Sequence, residues 1–574
     1  MTVQAASYVS VATLSEVQAT GCKVIHIEGH TIALFAQQGN RVLAVDNRCP
    51  HMGFPLNKGT VRDGILTCHW HHARFDLASG GTFDQWADDV RAFPVEIRNG
   101  EVYLDLGESR DILEHQRERL QVGLERNLPL VIGKAVLVLS DPVEPFRIGL
   151  EFGTRYRDTG WAAGLTIHTC MMNMLPYLHE TDRPRALYNG LIAVANDTSN
   201  VPPRFPIRPL PNSSGDIQAL RRWFREFIEV RDAEGAERCI ISAIQAGATP
   251  RQVADMLFAA VTDHRYIRTG HPADFTNKAL EALDMAGWDY AEVVLPSLVH
   301  DYATADRMEE DNAWRNPTDL VAILESTFEQ LPTQPISTDQ PWQGGPTLVD
   351  ILLGQNPYDI ADTMLDALRS GCGWVELSEW VSYAAARRIA HFHTSNEFGD
   401  WDTALHTFTF ANAIEQGLRR APSVELLRGV FDAAMSLYLD RFLNIPATPL
   451  PQPKGMVDDP LSLLDALTDL LDRQQQVNPA GALVAQYLSS GGAPEPLLAT
   501  LGGLLLREDR NFHTIQMIES AFKQYHRLRD TEMGTHVLVA AARYLAAHAP
   551  TARAQGQTFQ IAQRLHRGEH IFAE

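Results

Sequence analysis

Positive charge is scarce in this 574-residue chain: 49 Lys and Arg stand against 71 Asp and Glu, a formal net charge of -22 at pH 7. Nucleic acids and anionic membrane surfaces are gripped by a basic face. Neither is expected as a partner, whereas a basic redox protein is compatible. Cysteine is scarcer still. Six cysteines in so long a chain make no disulfide framework, which favours a reducing, cytoplasmic setting. Long apolar runs are missing too. No stretch approaches the roughly 20 residues of a membrane span, and Met1 to Gln18 has neither a basic start nor an apolar core to act as a leader. The expectation is a soluble protein with no membrane partner. Length is ample, and it predicts two or more domains with large cores.

Two of the six cysteines have histidines beside them. Cys49-Pro50-His51 and Cys68-His69-Trp70-His71 are separated by sixteen residues. Two thiolates on one iron and two imidazoles on the other suit a 2Fe–2S cluster, the neutral imidazoles raising its potential above that of an all-Cys cluster. Cys49, His51, Cys68 and His71 are therefore the expected cofactor ligands. A structural zinc also takes a Cys2His2 set. Pro50, Gly53 and Pro55 suit a tight cluster-binding turn. The flanks read as small strands: Arg41 to Asn47 alternates, and Val95 to Ile97 joins Val102 to Leu106 across Asn99-Gly100, a strong hairpin signal.

The runs Cys49-Pro-His-Met-Gly-Phe-Pro-Leu and Cys68-His-Trp-His-His-Ala-Arg-Phe-Asp-Leu resemble Rieske ferredoxins and the Rieske domains of bacterial ring-hydroxylating oxygenases. The resemblance covers roughly Thr13 to Leu106. Respiratory Rieske proteins carry an extra cysteine in each loop, and Met52 to Leu56 and His72 to Phe75 contain none, so the resemblance is to the lower-potential soluble branch. One departure is His72, where that family usually has Gly. The choice of His71 over its neighbours as ligand rests on spacing.

After Leu106 the strand signals stop. Asp111 to Val122 opens a region of helical periodicity that runs to the C-terminus, broken at Ser199 to Ser214, Gln334 to Gly345 and Pro446 to Pro460. Within it the segments Ile167-His168-Thr169, Arg185 to Gly190, Arg204-Phe205 and Pro209 to Pro211 recur as Leu405-His406-Thr407, Glu425 to Gly429, Arg441-Phe442 and Pro449 to Pro451, shifted by 237 to 240 residues. The expected fold is multidomain α+β: a small antiparallel β Rieske domain at residues 1–108, then a large all-α part of internal repeats, with halves at 109–335 and 336–574. Each half has two units, and each unit has a His near the start of a helix: His168, His271, His406 and His513.

Repeated histidines can simply cap and pack a solenoid. Folded about a pseudo-twofold axis, they would instead converge on one interior point, as ligands from facing helices do in di-iron bundles. His391-Phe392-His393 lies just before His406, and His264 just before His271. Imidazoles without thiolate suit a non-haem iron, and a cluster that stores one electron needs a destination for it. The expected ligands of a mononuclear non-haem Fe(II) are His168, His271, His391, His393 and His406. His513, with no second His nearby, is read as structural. The ordinary 2-His-1-carboxylate triad is not found. The pairs His26/His30 and His566/His570 are read as chance.

His168-Thr-Cys-Met-Met-Asn-Met-Leu with Arg183-Pro-Arg-Ala-Leu-Tyr-Asn-Gly-Leu, and His406-Thr-Phe-Thr-Phe-Ala-Asn-Ala-Ile with Glu425-Leu-Leu-Arg-Gly, resemble the questin-oxidase-like family. That resemblance implies a helical, oxygen-using enzyme of oxidative anthraquinone-type ring opening, with non-haem iron held by several His and a carboxylated Lys. On it His168 and His406 match the family's His, and His271 fits a related segment. Lys134, inside the apolar run Leu128 to Leu139, and Lys278, two turns after His271, are the lysines considered for carboxylation, and neither matches a motif. The expected function is an iron- and O2-dependent oxygenase acting on an apolar, aromatic or polycyclic small molecule, fed by a reductase and open to homo-oligomerisation. The alternative is a non-catalytic electron carrier or redox sensor with a helical docking domain.

Overall fold

The computed structural model describes residues 8–107, 112–211, 215–336, 341–569 and 571. His570 lies outside the described residues. So do parts of the breaker segments at 212–214 and 337–340, and Asp111 at the expected start of the helical region. The chain forms two compact units, one of Met1–Pro145 with Gln557–Glu574 and one of Phe146–Gly556.

The first unit is built on ten short strands. β2 (Cys22–Ile27), β3 (His30–Gln37), β4 (Arg41–Asp46) and β8 (Ala92–Phe93) form one antiparallel sheet. β1 (Tyr8–Thr13), β10 (Glu101–Asp105) and β9 (Val95–Arg98) form a second, and β5 (Thr60–Arg62), β6 (Ile65–Thr67) and β7 (Arg74–Asp76) a third. The period of two explains how β3 serves two cores. Ala33 and Phe35 enter a core with Leu56, Leu66 and Phe75, whereas Ile32 and Leu34 face a core with Val17, Val102 and Leu104. Each large side chain so buried contributes about 1.5–3 kcal/mol. The hairpin between β9 and β10 pairs Arg98 with Glu101, and Asn99 (φ 51°) and Gly100 (φ 82°) supply the two positive φ angles such a turn needs. Helix α1 (Leu14–Thr20) starts on a capping box between Thr13 and Glu16.

The first unit extends beyond residue 108, the expected boundary. Helices α2 (Ile112–Glu125) and α3 (Pro129–Val138) belong to it. Arg119 on α2 donates to the carbonyls of Gln85 and Ala87, each at 2.8 Å, and Lys134 on α3 reaches Pro50 and His51. Near the C-terminus, the Glu569 carbonyl accepts from Arg48 at 2.7 Å.

The second unit is helical, and the described residues after Asp105 contain no strand. At its centre α4 (Ala163–Met174), α5 (His271–Ala286), α6 (Phe398–Arg420) and α7 (Phe512–Leu528) pack in a ring, α4 on α5, α5 on α6, α6 on α7 and α7 on α4. Helices from both sides of residue 335 pack together in this unit, since α5 and α6 are neighbours. The ring encloses polar side chains. Lys278, with no exposed surface, donates to Glu519 at 2.6 Å and to Glu281 at 3.1 Å, while Asn173 bridges the same two carboxylates. Gln516 donates to Asp274, and Gln524 to Glu415 at 2.7 Å. Among the described residues, no helix is long and apolar enough to cross a membrane.

Candidate metal centres

The first centre is made by two loops of the β unit, one between β4 and β5 and one between β6 and β7. Their backbones repeat one pattern. Cys49 N–H donates to Phe54 O and Gly53 N–H to Cys49 O; Cys68 N–H donates to Ala73 O and His72 N–H to Cys68 O, all at 2.7–3.0 Å. The residue closing each turn is left-handed, Gly53 at φ 82° and His72 at φ 63°. His72 thus occupies a conformation that Gly fills without strain, and His, like Asn and Asp, tolerates it better than most residues. In this turn His72 stands where the first loop has Gly53, directly after His71.

Cys49 and Cys68 are buried, free and in sulfur–sulfur contact. Backbone N–H groups of His51 and Met52 point at one sulfur, those of Trp70 and His71 at the other. The hydrogen bond from Cys49 and those backbone donors push the Cys68 thiol down to about 6. The rings of His51 and His71 lie 4.8 Å apart, edge to face, with Trp86 at 4.7 Å from His51 and Trp70 at 4.6 Å from His71. Burial, then the charges of His71 and Lys134, lower His51 to about 4.

Two observations fit a binuclear cluster here. The His51 Nδ1 atom is buried without a hydrogen-bond partner, which is costly for a polar nitrogen unless it has a metal to bind. Among the described residues, no three ligand atoms of this set fall within 4.8 Å of one another. A single tetrahedral zinc, with bonds of about 2.0–2.3 Å, demands closer donors; two irons bridged by sulfide do not.

The second centre lies in the helical unit. His271, His406 and His513 place one ring nitrogen each within 4.8 Å of one another, the one such group of three among the described residues. His406 Nε2 and His513 Nε2 are 3.0 Å apart, and the His271 ring lies 4.7 Å from that of His406. Outer partners fix two of the rings. His271 Nδ1 donates to Arg268 O at 2.9 Å, and His513 Nδ1 sits 3.3 Å from Asp402, which also accepts from Tyr544. This leaves Nε2 of both rings as a lone pair aimed inward, the arrangement usual for metal-bound histidine. Burial, then the neighbouring His271 and His513, drop His406 to about 3, so it is neutral and ready to ligate.

His271 is held at a backbone cost. Tyr266, Arg268 and Thr269 have φ of 42°, 41° and 50°, and Gly270, at 88°, lies against Phe410. Strained residues of this kind cost about 1–3 kcal/mol each and gather at functional sites. The segment ends where Pro272 starts α5, and it carries the Arg268 carbonyl that orients the ring.

The other expected ligands do not join this group. His168 lies apart from the three: its Nε2 bonds Phe146 O at 3.0 Å, its Nδ1 is buried without a hydrogen-bond partner, and added Cβ atoms at Gly149 and Gly190 would each come within 2.6 Å of its ring nitrogens. The imidazole fills the space those glycines leave. His391 closes the helix Trp374–Ala390, its Nδ1 on Thr448 O at 2.8 Å, and His393 is tied to Ser395 in its own loop. His264 is held between Glu309 and Glu229. His513, read as structural, is one of the three. Carboxylation needs a neutral amine: two carboxylates hold Lys278 cationic, while burial lowers Lys134 to about 8, and Lys134 belongs to the β unit, not to the unit of the three His. Asp402 and the Tyr266–Gly270 segment carry no sequence motif; only Gly270-His271-Pro272, a turn residue before a helix-starting proline, signals the position.

Residues 7–94 match the family model of the Rieske [2Fe-2S] domain. Over 84 residues the chain is 33% identical to the vanillate O-demethylase oxygenase subunit of a Pseudomonas species, covering 14% of this chain and 25% of that one. Over 85 residues it is 33% identical to apoptosis-inducing factor 3 of Homo sapiens, covering 15% and 14%. A solved chain from the complex of reduced oxygenase and oxidized ferredoxin in carbazole 1,9a-dioxygenase matches at 22% identity and a TM-score of 0.17, covering 18% of this chain and 97% of that one. The chain spans a quarter or less of the length of these two curated relatives. The N-terminal segment is a Rieske domain, and such a domain implies a 2Fe–2S cluster.

Proposed function

We propose, from the Rieske domain at the N-terminus, that this chain is an oxygenase whose cluster ligands are Cys49, His51, Cys68 and His71 and whose His271, His406 and His513 hold a mononuclear non-haem iron. The cluster would supply single electrons and the iron a place for O2 to be activated. The protein's own part is positioning. The backbone N–H groups of residues 70 and 71 help push the Cys68 thiol down, whereas the contact with Cys68 and burial push the Cys49 thiol up against the N–H groups of residues 51 and 52. Arg268 O and Asp402 fix the tautomers of His271 and His513, and burial keeps His406 unprotonated. Three imidazoles would leave the other positions of an iron held there open to O2 and a substrate.

The observation that carries this reading is the convergence of the three imidazoles, each from a different helix of one bundle. The substrate class, an apolar aromatic or polycyclic molecule, rests on the resemblance of the helical segments to questin-oxidase-like enzymes. A separate reductase would feed the cluster from a reducing, cytoplasmic milieu. The second reading, an electron carrier or sensor, has its support in the extent of the family match, residues 7–94. The test is steady-state O2 consumption by full-length protein with a reductase and an anthraquinone panel. His406→Ala should abolish substrate-dependent consumption while the cluster is still reduced at the parent rate. Unchanged consumption would remove the three-His centre from the proposal.

A further inference from the structure

Lys134 lies outside the segment that matches the Rieske domain, on α3, where Val131, Ile132, Ala135 and Val136 are buried around it. Its ammonium donates to the carbonyl of Pro50 and, at 3.0 Å, to that of His51. Both belong to the first ligand loop. Among the described residues it forms no ion pair with any carboxylate within 4.0 Å. The neighbouring acid, Asp88, is engaged by His115 at 2.9 Å and by Arg119 at 3.2 Å. Lys134 is half-buried at the wall of a cavity that Asp46, Asp88 and Asp89 also line, and its hydrogen bonds go to the two loop carbonyls, not to those acids.

Cys49 and His51 flank the contact, and a cluster held there gains one negative charge on reduction. A fixed cation across a poorly screened interior attracts that added charge more than it attracts the oxidised cluster. The same two hydrogen bonds clamp the loop from which His51 projects.

We propose that Lys134 is a positioning residue of the Rieske centre that sets its reduction potential, clamping the Pro50–His51 loop and stabilising the reduced cluster by its charge. The redox step itself is the gain of one electron from an external one-electron donor; no bond forms or breaks, and the ammonium keeps its proton. The inference concerns only the cluster unit and is independent of the chemistry proposed for the helical one.

The test is an EPR-monitored redox titration of cluster-replete, full-length protein, using Lys134→Gln, which keeps a donor but drops the charge, and Lys134→Arg, which keeps both. The Gln variant should retain the parent line shape with a reduction equilibrium at least tenfold less favourable, which is 59 mV for a one-electron couple, and the Arg variant should stay near the parent. A Gln variant with the parent midpoint overturns the proposal. If the Gln variant takes up no iron, the Arg variant decides: loading with the parent midpoint supports the clamp and charge together, and failure to load overturns them.

Discussion

At the scale of single residues, the two Cys/His loops were legible as spacing, while the meeting of His271, His406 and His513 was legible only in part. Cys49, His51, Cys68 and His71 sit at fixed spacings in short loops, where spacing dictates geometry. His168 and His406 occupy equivalent positions in the repeated segments, yet the side chains face different surroundings. Gly149 and Gly190 make room for His168, and nothing in a local pattern tells which wall an imidazole meets. The left-handed φ of His72 gives a direct check on the ligand choice. His72→Gly should keep the Rieske EPR signal and raise stability by about 1 kcal/mol in urea unfolding, whereas His71→Ala should abolish the signal. The reverse result would make His72 the ligand. A pH effect follows from His406, whose folded value of about 3 lies below its ordinary 6.5. Between these values the unfolded chain binds a proton that the folded chain refuses, so stability falls as pH drops below 6.5. In metal-free protein, His406→Gln should remove up to about 1.4 kcal/mol of that loss per pH unit; equal acid sensitivity of both proteins would contradict the burial argument.

At the scale of elements, strands and turns were the more readable. Arg41 to Asn47 alternates and forms β4, ending at Asp46, and Asn99-Gly100 makes the expected hairpin because it can take two positive φ angles. Helices were visible as periodicity, but their partners were not, since α4, α5, α6 and α7 are drawn together from segments more than 70 residues apart. Their polar interior could not be foreseen either: Lys278, Glu281 and Glu519 look like ordinary helix surface until the ring closes over them. This network makes a prediction at the same scale. Lys278→Met leaves Glu519 and Glu281 without their shared cation and should cost about 3–5 kcal/mol, read from chemical denaturation. A loss below about 1 kcal/mol would show that water reaches the ring's interior.

At the scale of the whole molecule, the β-then-helical order follows from the sequence, while the unit boundaries do not. Contacts such as Arg119 with Gln85 and Ala87 assign α2 and α3 to the cluster unit, although their periodicity resembles everything that follows. Glu569 joins that unit for the same reason, its carbonyl accepting from Arg48. The central claim is that one chain carries two separate redox sites. The most direct measurement is iron content against integrated Rieske EPR intensity in parent and His406→Ala protein. The account predicts about three irons per cluster in the parent and about two in the variant, at equal cluster intensity; a ratio of two in both would contradict it.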